Sequence, residues 1–238
     1  MKFGVKTYFD AGFAKYFEDK ADFLEVMAIC GEDYSFLEGY SLPIVIHAMH
    51  SGFGINFADK GLVEKNKEAV DFAIELADKC GAEKIIVHAG RLVNENCSVE
   101  QVVDFLKGLD DRIIVENCPK DVCSIPDETS CFLFEVGRNF CFDVNHAISA
   151  AELSLKKDYL NVIRNFLKIN PVHFHLSGQV LGKDFRDHLS FEDSEVDFNE
   201  IFGLLPKGAW VTLETTTDIG KVERDLDFVR GIENDIRS

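Results

Sequence analysis

Short runs of apolar, mostly β-branched or aromatic residues recur along the chain, and most of them end in an ionisable residue. Eight have strand character: residues 3–8, 23–28, 43–48, 84–89, 112–117, 140–144, 172–176 and 210–215. The sharpest is RIIVENC, where Ile113, Ile114 and Val115 lead directly into Glu116 and Asn117. A carboxylate at the end of a buried strand is expensive unless something compensates it. The same grammar appears in PIVIHA, KIIVHAG, FCFDVNHA, VHFHLSG and WVTLETT.

Between these runs the apolar period changes from two to about 3.6. In 61–84 Val63, Val70, Ile74 and Ala77 share one face, and Gly81 is placed to end the helix. Residues 98–109 begin with Ser98 as N-cap and Gln101 at the capping-box position, and stop at Gly108. Weaker helical patterns occupy 11–20, 34–37, 129–136, 159–167, 198–205 and 219–229. Eight strand–helix alternations point to a parallel sheet wound by right-handed crossovers, and eight is the count that closes a (β/α)8 TIM barrel. An open doubly wound sheet is the alternative. No glycine-rich phosphate loop follows the first strand, and the ionisable residues are spread over at least six strands instead of one switch point, so the barrel is favoured, with 1–238 as one domain.

Composition narrows the partners. Hydrophobic residues at 46% and charged residues at 28% are those of an ordinary globular protein. The 25 Lys and Arg against 42 Asp and Glu leave a net charge of −17, which opposes nucleic acid and anionic membranes as default partners. The N-terminal MKFGVKTYFD has no basic stretch leading into a long apolar run, and no segment reaches the length of a membrane span, so a cytoplasmic location is expected. Seven scattered cysteines without a C-x-x-C pair read as reduced core residues.

In a closed barrel all strand C-termini meet at one rim. That would gather His47, His88, Glu116, Asp143, His175 and Glu214, with His146 three residues after Asp143 and the pair Asp187 and His188 beyond them. So many carboxylates and imidazoles at one mouth call for a divalent cation, and mixed nitrogen and oxygen donors suit Zn²⁺ or Mn²⁺. His173 has the parity of His175 but lies one layer deeper, and is expected as a buried, neutral, hydrogen-bonded histidine. His50, in the glycine-flanked HSGFGIN, is a solvated or substrate-touching residue. Asn117 and Asn145 are out of phase and hold loops, and the acidic run 191–198 is a solvated face.

This constellation resembles the xylose isomerase-like TIM-barrel superfamily, which includes endonuclease IV, the ketose 3-epimerases, hydroxypyruvate isomerase and many sugar phosphate isomerase/epimerase-like proteins. The resemblance spans nearly the whole chain. It implies a shared metal site at Glu116, Asp143, His175 and Glu214, with the D-x-x-H step at Asp143 and His146. The endonuclease IV branch implies further ligands at His47, His88, His146, Asp187 and His188, for one to three ions in all. Two departures stand out: DHLSFEDS lacks the glycine turn that often follows the D-H-L element, and the nearest arginine after His175 is Arg186. Glu25 in FLEVMA is similar to the sugar-isomerase branch.

The expected function is a metal-dependent isomerase or epimerase of a sugar or sugar phosphate. Glu116 and Glu214 would exchange a carbon-bound proton, and His146, His188 and His50 would bind substrate. The alternative is an abasic-site endonuclease with two or three Zn²⁺ ions and DNA as partner; a barrel that binds without turnover is a third reading. Oligomeric state is not legible in the residues.

Overall fold

The computed structural model describes residues 1–153, 158–182 and 186–237. Among them are ten strands and eight α-helices. The strands are β1 (Lys2–Thr7), β2 (Phe23–Ala28), β3 (Ile44–Ala48), β4 (Ile85–His88), β5 (Ile113–Glu116), β6 (Asn139–Asp143), β7 (His173–Leu176), β8 (Gly178–Val180), β9 (Arg186–Leu189) and β10 (Trp210–Leu213). The helices are α1 (Ala11–Phe17), α2 (Val63–Cys80), α3 (Val99–Leu106), α4 (Pro126–Val136), α5 (Val144–Leu153), α6 (Tyr159–Leu167), α7 (Phe198–Leu204) and α8 (Ile219–Arg237). β1 to β7 and β10 form a closed parallel barrel in the order β1-β10-β7-β6-β5-β4-β3-β2. Closure runs through β1, which pairs with β2 and, from Lys2↔Trp210 to Val5↔Leu213, with β10. The expected (β/α)8 architecture is therefore the one observed.

Strand parity divides the apolar residues into two clusters. Phe3, Val5, Leu24, Val26, Ile85, Val87, Ile113, Val115, Phe140, Phe142, Val211 and Leu213 join the helices in the large cluster around the barrel. The alternate positions Phe23, Val45, Ile86, Ile114 and Cys141, with Trp210 against them, form a small plug inside it. Gly4 makes room for that plug, because a Cβ there would meet the Phe23 ring at 2.2 Å. Two residues further along these strands the inward positions turn ionisable. The inside of the barrel is thus apolar below and charged above.

Several expectations are corrected. The helical pattern at 34–37 yields only a 3-10 turn, Ser35–Leu37, between Gly31 and Gly39, both at positive φ, too short a span for an α-helix. The helix read from Thr129 starts at Pro126, a favoured first helical position, and the last helix runs on to Arg237. α5 was not legible. It follows Asp143 without a loop, and Val144 to Ala151 are all buried, so no amphipathic period marks it. The antiparallel hairpin of β8 and β9 was also unforeseen.

The run 191–198 is only partly a solvated face: Phe191, Val196 and Phe198 are buried. Lys221 and Arg224 of α8 pair with Glu192, Lys221 also pairs with Asp193, and Asp197 caps α7 by accepting from the backbone N–H of Asn199 and Glu200. All seven cysteines are free thiols. Cys118, Cys123 and Cys141 are buried as expected, whereas Cys131 is exposed on α4. No helix among the described residues is long and apolar enough to cross a membrane.

Candidate metal and active site

The strand ends gather at one mouth, over a cavity of about 470 Å³ whose lining includes Lys6, Tyr8, His47, His50, His88, Arg91, Glu116, His146, His188, Glu214 and Thr215 to Thr217. Glu116 is its hub. Its Oε2 lies 3.1 Å from His47 Nε2, 3.2 Å from His88 Nε2 and 3.4 Å from His175 Nδ1, and its Oε1 lies 3.2 Å from His146 Nδ1. Burial pushes its carboxyl up, but His88 and His175 beside it win and hold it well below the ordinary carboxylate range. The cost of burying a charge at the end of β5 is met by His88, His175 and His146, brought in from β4, β7 and α5.

The tautomers define what this arrangement asks for. His47 Nδ1 is 2.8 Å from the carbonyl of Ala48, which can only accept, so Nδ1 carries the proton. Burial, reinforced by Lys6, lowers the His47 pKa and keeps the ring neutral. Its Nε2 lone pair then faces a carboxylate oxygen at 3.1 Å, an arrangement that a cation between them relieves. His175 differs in charge, its pKa being raised, but is likewise held from one side: Nε2 lies 3.0 Å from Glu25 Oε2, while Nδ1 lies 3.1 Å from Glu214 Oε1 and 3.4 Å from Glu116 Oε2 and makes no hydrogen bond. An imidazole whose far nitrogen is fixed by a carboxylate and whose near nitrogen aims at two more has the form of an oriented metal ligand.

Donor atoms converge to within 4.8 Å of one another in several groups: Glu116 with Asp143 and His146, Glu116 with His47 and His88, Glu116 with Cys141 and His175, and Glu25 with His47, His175 and Glu214. A further group joins His88, Cys118 and Asp121. The four-residue set Glu116, Asp143, His175 and Glu214 is thus brought to one mouth but is divided between groups that share Glu116 and His175. Asp143 accepts the His146 N–H on Oδ1 at 2.6 Å, and its pKa is raised by burial and by Glu116 and Glu214 despite His146. Nitrogen and carboxylate donors in buried groups of three or four, with His175 Nδ1 and Glu116 Oε1 making no hydrogen bond, fit a divalent ion of the Zn²⁺ or Mn²⁺ kind.

The other expected residues are placed as follows. His50 caps its own turn by accepting from Gly52 N–H, and its ring stacks on His88 with centroids 4.8 Å apart; burial, then His88 and His47, push its pKa down to about 2. His188, at φ 54° on the hairpin, reaches the Glu214 carbonyl with Nδ1 at 3.1 Å. Asp187 beside it joins none of the donor groups among the described residues. His173 is fully buried, bonded to Thr212 Oγ1 at 2.8 Å, and pushed down to about 4 by burial. Asn117 donates to the Asp143 carbonyl and accepts the Asp143 N–H, both at 2.8 Å, and Asn145 does the same for Ser177 at 2.7 and 2.8 Å. Both asparagines staple the rim.

Three residues of the site carried no such role in the sequence. Glu25 orients His175 and accepts from Thr212 Oγ1 at 2.6 Å. Lys6 Nζ lies 3.2 Å from Glu25 Oε1 and contacts Glu214 Oε1. Arg91 reaches the cavity while Nε donates to Asp121 Oδ1 at 2.8 Å. Lys6 was recoverable in principle, because it shares parity with the inward positions of β1, but a lone lysine in KFGVKT reads as solvent-facing.

Residues 34–232 match the model of a family described as xylose isomerase-like TIM barrel. Among solved structures the chain is similar to a D-tagatose 3-epimerase-like protein (19% identity, TM-score 0.74, 100% of this chain and 98% of that one). It is also similar to endonuclease IV from Thermus thermophilus (19%, 0.75, 99% and 100%) and to a xylose isomerase domain protein from Planctomyces limnophilus (15%, 0.75, 99% and 98%). At these identities the likeness is one of fold. Comparison with curated proteins gave no match.

Proposed function

Because the chain belongs to the xylose isomerase-like TIM barrel family, we propose that it is a divalent-metal-dependent isomerase or epimerase acting on a sugar or sugar phosphate. The observation that carries the reading is the pair Glu116 and Glu214, which approach His175 Nδ1 from two strands at 3.4 and 3.1 Å inside one cavity of about 470 Å³. That volume suits a monosaccharide or its phosphate.

Both carboxylates are ionised at neutral pH. Burial raises Glu214, yet His175 and Lys6 bring it down to about 2, so it is an acceptor for a carbon-bound proton. Glu116, which faces the same His175 Nδ1 from β5, is the partner that takes or returns a proton at the neighbouring carbon. A divalent ion bound among the Glu116 groups would supply Lewis-acid polarisation of the substrate carbonyl and hydroxyl oxygens, lowering the pKa of the adjacent C–H. His146 and His188 at the cavity wall hold substrate oxygens, His50 closes the wall beside His88, and Arg91 offers a cation to a phosphate.

A second reading, an abasic-site endonuclease, is favoured by one observation: His47 and His88 both face Glu116 Oε2, at 3.1 and 3.2 Å, a donor group beyond what a single ion needs. One experiment separates the two. The protein loaded with Zn²⁺ or Mn²⁺ is incubated with a panel of aldoses, ketoses and their phosphates in deuterated water and followed by NMR. Exchange of a carbon-bound hydrogen is expected with at least one sugar, falling about 10²- to 10⁴-fold in Glu116→Gln or Glu214→Gln. Absence of exchange across the panel, together with metal-dependent nicking of an abasic duplex that is lost in His47→Ala or His88→Ala, would replace the isomerase reading by the endonuclease one.

A further inference from the structure

Lys6 occupies an unusual place among the donor groups. Glu25, His47, His175 and Glu214 come from β2, β3, β7 and the end of β10, and bring two carboxylate oxygens and two imidazole nitrogens within 4.8 Å of one another. Such a set is a credible metal site in its own right; it shares no residue with the group of Glu116, Asp143 and His146, while His47 and His175 stand between it and the other groups built on Glu116. All four residues are buried, and within the set Glu25 Oε1 and His175 Nδ1 make no hydrogen bond. Yet the ammonium of Lys6 stands at its edge, 3.2 Å from Glu25 Oε1 and in contact with Glu214 Oε1. Its side chain is itself only 12% exposed, so this is no solvated lysine that swings in and out.

We propose that Lys6 is the resident cation of this quartet: its ammonium takes the seat that Glu25, His47, His175 and Glu214 would otherwise offer to a divalent ion, and so confines metal to the Glu116 side of the mouth. The physical reason is charge and room. Two carboxylates give the quartet two negative charges, the ammonium answers one of them at the oxygens a metal would use, and a divalent ion a few ångströms away would be repelled by it in a site of low dielectric. An ammonium tethered to β1 has no dissociation to undergo, whereas an ion does. Glu214 is then left to substrate and His188 instead of being shared with a second ion. The inference rests on the proposed metal dependence only in placing ions on the Glu116 side.

The test is metal stoichiometry, not turnover. The parent protein, Lys6→Met, Lys6→Arg and the double variant Lys6→Met with Glu25→Gln are loaded with excess Zn²⁺ or Mn²⁺, freed of unbound ion by gel filtration, and assayed by inductively coupled plasma mass spectrometry. Lys6→Met is expected to hold one equivalent more than the parent, Lys6→Arg the parental number, and the double variant to lose the gain. Equal counts in the parent and Lys6→Met, or the same gain in Lys6→Arg, would overturn the inference. Should Lys6→Met fail to fold, anomalous diffraction from parent crystals soaked in Zn²⁺ decides: density between Glu25 and Glu214 overturns it, and density confined to the Glu116 side supports it. A parent without metal alongside a one-ion Lys6→Met variant would keep the role of Lys6 while removing the metal-dependent isomerase reading, so the two can fail separately.

Discussion

At the scale of single residues, the two histidines of β7 show how two positions in one strand acquire opposite properties. His175 has carboxylates on both nitrogens and a pKa raised well above the ordinary value, burial opposing and Cys141, Glu214, Glu25 and Glu116 raising it. His173, one turn of the pleat deeper, meets Thr212 and the plug residue Phe23, whose ring centroid is 5.5 Å away. His175→Ala is therefore expected to release bound metal, and also to lower stability by leaving the buried Glu25, Glu116 and Glu214 without the imidazole they share. His173→Ala should retain metal and lose about 1–3 kcal/mol of stability, the cost of a cavity and of leaving the Thr212 hydroxyl without one buried partner. Metal analysis and chemical denaturation of both variants check this; metal lost from the second and kept in the first would place the ligand one layer lower. Glu116 itself was legible as an anomaly in RIIVENC, but nothing in the residues around it tells that four imidazoles gather about it.

At the scale of elements, the barrel is held open at the top and filled at the bottom by a few local devices. Asn117 follows Glu116 and grips the backbone of Asp143; Asn145 follows Asp143 by two and grips Ser177. In this way each candidate ligand on β5 and β6 is followed by a side chain that fixes the end of the next strand. At the other end Gly4 lets Phe23 enter the plug. Gly4→Ala would drive a methyl group into that ring, and overpacking of this kind is expected to cost about 1–3 kcal/mol, readable as a lower denaturation midpoint with metal binding retained after refolding. An unchanged midpoint would mean that Phe23 has room to move. Amphipathic helices such as α2 and α3 were legible because they present one face to the barrel. α5, buried on every side, and the β8–β9 hairpin, formed by residues without strand alternation, were not.

At the scale of the whole molecule, the acidic chain concentrates its buried imidazoles at one mouth, and this couples metal uptake to pH. Burial lowers His88, but Glu116 and Cys118 outweigh it and raise the pKa to about 10; His146, likewise opposed by burial, is raised well above its ordinary value by Asp143 and Glu116. These rings hold protons at neutral pH, and ligation requires them neutral, so metal binding must expel protons. Affinity is expected to rise with pH from below 7 toward the His88 value, and calorimetry at pH 7 in buffers of different ionisation enthalpy should register net proton release; none would show that the charged imidazoles are not ligands. The strand pattern, with its period of two and its ionisable ends, determined the barrel and which carboxylates and histidines stand at its rim, because side-chain alternation and parallel closure leave little freedom in either. How those residues divide into donor groups was decided only by the tertiary structure. It brought Lys6 of β1 against Glu214 beyond β10, seated Glu25 behind His175 and left Asp187 aside, since pairings between distant strands depend on barrel register and on the path of the β8–β9 hairpin, neither of which is written in any local stretch of sequence.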